Sequence, residues 1–133
     1  MAHKALILHV DDDDLMAYLL KREITDFEIV RVNDGDDAIE FLHQSGIFQG
    51  APRPDLVLLD LHMPKQDGFQ ILGLIRANQA LATIPVAIFT TSQRPADREQ
   101  AFALGADHYI QKPSAIKDFA DLAIALARIV RSP

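Results

Sequence analysis

Cysteine is absent from all 133 residues, which excludes a disulfide framework and any thiolate metal site. Long apolar runs are missing as well. The opening stretch "MAHKALILHV" has only a brief one before a series of aspartates, too short for a membrane span or a signal peptide. There is no basic patch of the kind a duplex-binding protein displays. The net charge is −6, so neither nucleic acid nor a membrane is an expected partner. The chain reads as cytoplasmic. No internal repeat or low-complexity tract breaks it up. With 49% hydrophobic residues it suits one globular domain over residues 1–133, too short to carry a separate effector domain.

The charge that is present is unevenly placed. Residues 1–37 hold ten acids and four bases, while the remainder holds nine of each. Four of those acids are consecutive, in "HVDDDD" (9–14). Two like charges about 4 Å apart repel by roughly 4 kcal/mol at an effective dielectric near 20, so a helix terminus, a cation or both must offset the crowding.

Five apolar runs predict strands: 4–10, 27–32, 55–61, 85–91 and 107–111. The first, third and fourth are almost continuous in Val, Ile, Leu and Ala, as strands covered on both faces of a parallel sheet are. The second and fifth carry charges or amides and read as edges. Helical spacing fills the intervals 14–25, 36–45, 68–79, 95–104 and 114–131. In the second of these, Ala38, Phe41, Leu42 and Ser45 share a stripe and Gly46 offers a stop. Pro95 opens the fourth and Gly105 follows it. Strict alternation of strand and helix predicts a doubly wound α/β sheet with right-handed crossovers. "SGIFQGAPRP" (45–54) is expected to be a surface loop.

In such sheets ligands gather beyond the carboxyl ends of the strands. Asp11 and Asp12 end the first predicted strand, and Asp60 ends the third. If those strands are neighbours, three carboxylates converge. An oxygen-only donor set points to a hard cation, Mg²⁺ first. Helix capping explains one or two of the four aspartates, Asp13 or Asp14. It does not explain Asp60, because "LHMPKQ" intervenes before the next helix. The fourth predicted strand ends in Thr90-Thr91-Ser92, and Lys112-Pro113 follows the fifth. A cation site, a hydroxyl and an ammonium on one sheet edge form a set able to hold a phosphoryl group.

The segments "VDDD" (10–13), "PDLVLLDLHMPKQDGFQIL" (54–72), "IPVAIFTTS" (84–92) and "GADHYIQKPS" (105–114) together resemble the receiver domains of two-component response regulators. The resemblance implies a flavodoxin-like five-stranded sheet of order 2-1-3-4-5 with five helices. It also implies that Asp60 accepts a phosphoryl group from a sensor histidine kinase or a His phosphotransfer protein. Asp11, Asp12, Asp60 and the backbone carbonyl of His62 would hold Mg²⁺. Thr90 would bond the phosphoryl oxygen, Lys112 would pair with it, and Tyr109 would act as the switch. Lys112–Pro113 would be a cis peptide, and Pro64 and Gly68 would suit a loop wrapping past Asp60. His62, Thr91 and Ser92 occupy positions that bear on phosphoryl lifetime. "FLHQSGIFQGAPRPDL" and "TTSQ" are similar to stand-alone receivers paired with phytochrome-type kinases.

In the last predicted helix Ile116, Phe119, Ala123, Leu126 and Val130 form an apolar stripe flanked by Leu122 and Ile129 on one side and by Ala120, Ala127 and Ile124 on the other. That wide arc points to a homodimer through the fourth helix, fifth strand and fifth helix, and to output by surface contact. His9 lies in a buried run and is expected to be hydrogen-bonded structure. Two other functions use parts of this set. A haloacid-dehalogenase-like phosphohydrolase would also use Asp60 as nucleophile but wants an acid two residues on, where this chain has His62. A flavodoxin-like FMN binder would be repelled by the aspartates.

Overall fold

The computed structural model describes residues 4–63 and 65–131. Its strands are β1 (Leu6–Val10), β2 (Glu28–Val32), β3 (Leu56–Leu59), β4 (Val86–Thr90) and β5 (His108–Gln111). The helices are α1 (Asp14–Glu23), α2 (Gly35–His43), α3 (Gly68–Ala77), α4 (Pro95–Ala103) and α5 (Phe119–Arg131). All strand pairs are parallel and the order is β2-β1-β3-β4-β5. The expected fold class is therefore the observed one. The apolar strands β1, β3 and β4 are buried throughout, and the charged β2 and β5 are the edges.

Strand periodicity of two divides the core. Leu6, Leu8 and Val10 point to the side covered by α2, α3 and α4, with Phe41, Ile71 and Leu72. Ile7 points to the other, with Leu20, Phe89, Phe119, Leu122 and Leu126 of the α1–α5 side. Each such side chain contributes about 1.5–3 kcal/mol when fully buried.

Local chemistry sets the helix ends. Asp13, Asp34 and Asp67 cap α1, α2 and α3 by accepting from the backbone N–H of Met16, Asp37 and Gln70. Gln70 returns a bond to Asp67, completing a capping box. Pro95 starts α4 as expected.

Four details differ from the sequence reading. Helix α2 stops at His43, with Gln44 in the left-handed conformation at φ 57°. Gly46 (φ 60°) instead opens a short 3-10 turn, Gly46–Phe48, within the expected loop. Ser45 therefore lies outside the helix. Helix α5 begins at Phe119, because Ile116–Asp118 form a separate 3-10 turn. Leu122 is not a flank free for a partner: it is 4% exposed and packs in the core, whereas Ile124 is 54% exposed. Finally, no peptide bond among the described residues is cis, so Lys112–Pro113 is trans, the form an X–Pro bond favours by about 0.5–1 kcal/mol. Pro64 lies outside the described residues.

Candidate functional site

Because β1 and β3 are neighbours in register, with Val10 opposite Leu59, the residues that follow each strand meet. Carboxylate oxygens of Asp11, Asp12 and Asp60 all lie within 4.8 Å of one another. Asp11 and Asp60 are buried and Asp12 is exposed, so the cluster has a floor and an open rim. β4 and β5 bring the remaining members. The Nζ of Lys112 lies 2.8 Å from Asp11 Oδ2 and 3.3 Å from Asp60 Oδ2. Thr90 is fully buried at the end of β4, and its carbonyl accepts from the Lys112 N–H at 2.8 Å.

The four aspartates of the tract have separate environments. Asp11 Oδ2 accepts from His9 Nε2 at 3.1 Å as well as from Lys112, and Asp11 Oδ1 accepts from the Asp13 N–H at 3.0 Å. Asp12 faces solvent. Asp13 is the α1 cap. Asp14 pairs with Arg31 at 2.6 Å, and the same guanidinium donates to the Asp11 carbonyl at 3.2 Å. Like-charge crowding is thus relieved by Lys112, by Arg31 and by a helix terminus.

Burial and charge pull the two buried acids apart. Burial would raise the pKa of Asp11, but hydrogen bonds from His9, Lys112 and the Asp13 N–H together prevail and hold it at about 2. Burial raises that of Asp60, with Asp11's negative charge adding to it against the opposing pull of Lys112. Burial would lower the pKa of Lys112, but the Asp11 hydrogen bond and the two carboxylates outweigh it and raise it.

The loop from Asp60 to α3 wraps tightly. A Cβ on Gly68 would stand 2.3 Å from the Asp60 carbonyl oxygen and 2.9 Å from the Leu61 Cα. His62 is exposed on this loop and Thr91 is exposed after β4. Ser92 turns its hydroxyl away, donating to Asp97 of α4 at 2.6 Å. Its N–H donates to Thr90 Oγ1 at 3.2 Å, and its carbonyl accepts from the Tyr109 hydroxyl at 3.2 Å. Thr90 and Tyr109 are thereby tied to one residue, Ser92, which the sequence marks only as a strand-end hydroxyl and the resemblance only as a position bearing on phosphoryl lifetime. Asp97, buried in the first turn of α4, carries no signal in the sequence. A groove of about 360 Å³ runs alongside, lined by Ser92, Arg94, Arg98, Tyr109 and Gln111 among others. The guanidinium of Arg98 lies 5.7 Å from the Tyr109 ring centre.

The sequence expectations of Asp11, Asp12, Asp60, Thr90 and Lys112 thus fall at one end of the sheet. No helix among the described residues is long and apolar enough to cross a membrane.

Comparison with known proteins agrees with this geometry. The family model for the response regulator receiver domain matches residues 7–124. Response regulator Rcp1 of Synechocystis sp. is 38% identical over 107 residues, which is 80% of this chain and 73% of that protein. The phosphorylated cyanobacterial phytochrome response regulator RcpA superposes with a TM-score of 0.88 at 32% identity, covering 98% of this chain and 96% of that one. The Mn²⁺-bound form of Rcp1 gives a TM-score of 0.83 at 32% identity, covering 97% and 96%. By fold, by sequence and by the residues gathered at the carboxyl ends of its strands, the chain belongs to the response regulator receiver domain family.

Proposed function

We propose that this receiver takes a phosphoryl group onto Asp60 from the phosphohistidine of a sensor kinase or His phosphotransfer protein. The observation that carries the reading is the meeting of Asp11, Asp12 and Asp60 within 4.8 Å beside the Lys112 ammonium. In the transfer a carboxylate oxygen of Asp60 bonds to phosphorus as the donor's P–N bond breaks, and the imidazole leaves with that electron pair. Lys112 is within reach to neutralise the group that arrives. Buried carboxylates in fixed positions need little reorganisation to attack in line.

The site suits a hard divalent cation. Its donors are oxygens only, two are buried, and one opens to water. Asp11, Asp12, Asp60 and the His62 carbonyl would hold Mg²⁺, which when bound offsets the repulsion between the carboxylates and a phosphoryl group. Rcp1 in its Mn²⁺-bound form and RcpA in its phosphorylated form support both halves of this reading by similarity.

Thr90 is the hydroxyl that would turn and donate to the phosphoryl oxygen, giving up the bond it accepts from the Ser92 N–H. Tyr109, bonded to the Ser92 carbonyl, would then repack and alter the α4–β5–α5 surface through which the signal leaves, including by homodimerisation. RcpA is a cyanobacterial phytochrome response regulator, so phytochrome-type kinases are the first class of donor to test.

The deciding experiment is labelling with acetyl phosphate in Mg²⁺. Wild type is expected to take up phosphate and Asp60→Asn none; undiminished labelling of the variant would refute the assignment of Asp60.

A further inference from the structure

His9 occupies a position where β1 otherwise carries only Leu, Ile and Val. It is 0% exposed, in register between Arg31 of β2 and Leu58 of β3. Its ring stands edge-on to Phe89 at 5.8 Å. An apolar residue would fill that space without a polar atom to satisfy. The imidazole makes a single hydrogen bond, from Nε2 to Asp11 Oδ2 at 3.1 Å, and its Nδ1 has no partner among the described residues. Packing alone therefore leaves the histidine unexplained, since it brings an unpartnered nitrogen into the core.

The one hydrogen bond its side chain makes is directed by the strand. Residues two apart point to the same face, so His9 lies directly behind Asp11. A carboxylate only accepts, so Nε2 carries the proton in this bond. Asp11 is also bonded to Lys112, a side chain that must adjust when another cation arrives. His9 sits in the rigid sheet and need not move.

We infer that His9 is a positioning residue for cation binding, holding the Asp11 carboxylate from behind so that its rim-facing side is kept aligned with Asp12 and Asp60. This rests on the metal-site reading given above. Partners standing behind metal ligands typically change affinity about 10–100-fold when removed.

The test is calorimetric titration of Mg²⁺ into the metal-free protein, for wild type, His9→Leu, His9→Gln and His9→Asn, with thermal unfolding as a check of the fold. Counting bonds from the backbone, the Gln amide nitrogen reaches the place of Nε2 and the Asn amide nitrogen only that of Nδ1. His9→Leu is expected to fold and to bind Mg²⁺ roughly tenfold more weakly. His9→Gln is expected to stay close to wild type and His9→Asn to resemble His9→Leu. If His9→Leu does not fold, the contrast between Gln and Asn decides. Wild-type affinity in His9→Leu, or equal affinities in Gln and Asn, would overturn the role of His9 while leaving the metal site standing. A wild type that takes up no Mg²⁺ would overturn both.

Discussion

Gly68 and Asp60 are in backbone contact: a Cβ on the glycine would stand 2.3 Å from the carbonyl oxygen of the aspartate. Both neighbours it would meet, that carbonyl and the Leu61 Cα, are main chain and have no rotamer through which to escape. Gly68→Ala is therefore expected to push the loop after β3 outward. We expect a loss of about 1–3 kcal/mol in stability and weaker Mg²⁺ binding together. Denaturant unfolding with and without Mg²⁺ measures both, and an alanine variant equal to wild type would contradict the geometry.

Lys112→Met removes the ammonium from between Asp11 and Asp60. Without metal, two buried carboxylates then face each other with no cation between them, Asp11 keeping only its bonds from His9 and the Asp13 N–H. The expected cost is about 3 kcal/mol, the low end for a broken buried pair because the rim is open to water. Since the site becomes more negative, Mg²⁺ should bind more tightly and recover much of the lost thermal stability. Scanning calorimetry in chelator and in Mg²⁺ checks this; a deficit that Mg²⁺ does not reduce would count against it.

The pH dependence has opposite signs at the two buried acids. The pKa of Asp60 is raised above 3.8 by burial, so the folded protein keeps that proton where the unfolded chain has released it. Its contribution is present below 3.8 and lost as pH rises through the folded value. Asp11, held at about 2 against an ordinary 3.8, contributes above 3.8 and loses that contribution as pH falls toward 2. Metal-free Asp60→Asn should accordingly be more stable than wild type at neutral pH, by on the order of 1 kcal/mol. The difference should close as pH approaches 3.8. Thermal unfolding across that range in chelator follows it directly, and a variant less stable than wild type at neutral pH would contradict the direction.

Arg76 joins the end of α3 to two loops. Its Nε donates to the Gly105 carbonyl at 2.8 Å, Nη1 to that of Ile84 at 2.8 Å, and Nη2 to Asp107 Oδ2 at 2.8 Å. Asp107 Oδ2 in turn accepts from the Val86 N–H where β4 begins. Arg76→Ala should lower stability by about 2–3 kcal/mol, with acetyl phosphate labelling retained. Arg76→Lys should recover less than half, since an ammonium lacks the planar fork. Urea unfolding separates the three proteins.

Much of this was legible in the chain. Continuous apolar runs at β1, β3 and β4 and charged ones at β2 and β5 are one-dimensional records of central and edge positions. Asp11, Asp12 and Asp60 are identifiable because each directly follows such a run or lies one residue beyond it. What stayed hidden depends on partners distant in sequence. Arg31 reaching Asp14 and Arg76 reaching Gly105 leave no periodic trace. The end of α2 carries no sequence signal because Gln44, not a glycine, adopts the left-handed conformation. Leu122 and Ile124 are both apolar members of one helix, and only packing against Phe119 and the sheet tells the inward residue from the outward one.

Four identical letters at positions 11–14 hold four different posts: one wedged between an imidazole and an ammonium, one open to water, one closing a helix and one grasped by a guanidinium. Replacing them one at a time should yield four unlike phenotypes from a single chemical change. Exchanging Asp11 with Leu15 would slide the tract one position along with composition and charge intact, yet take away the carboxylate held between imidazole and ammonium.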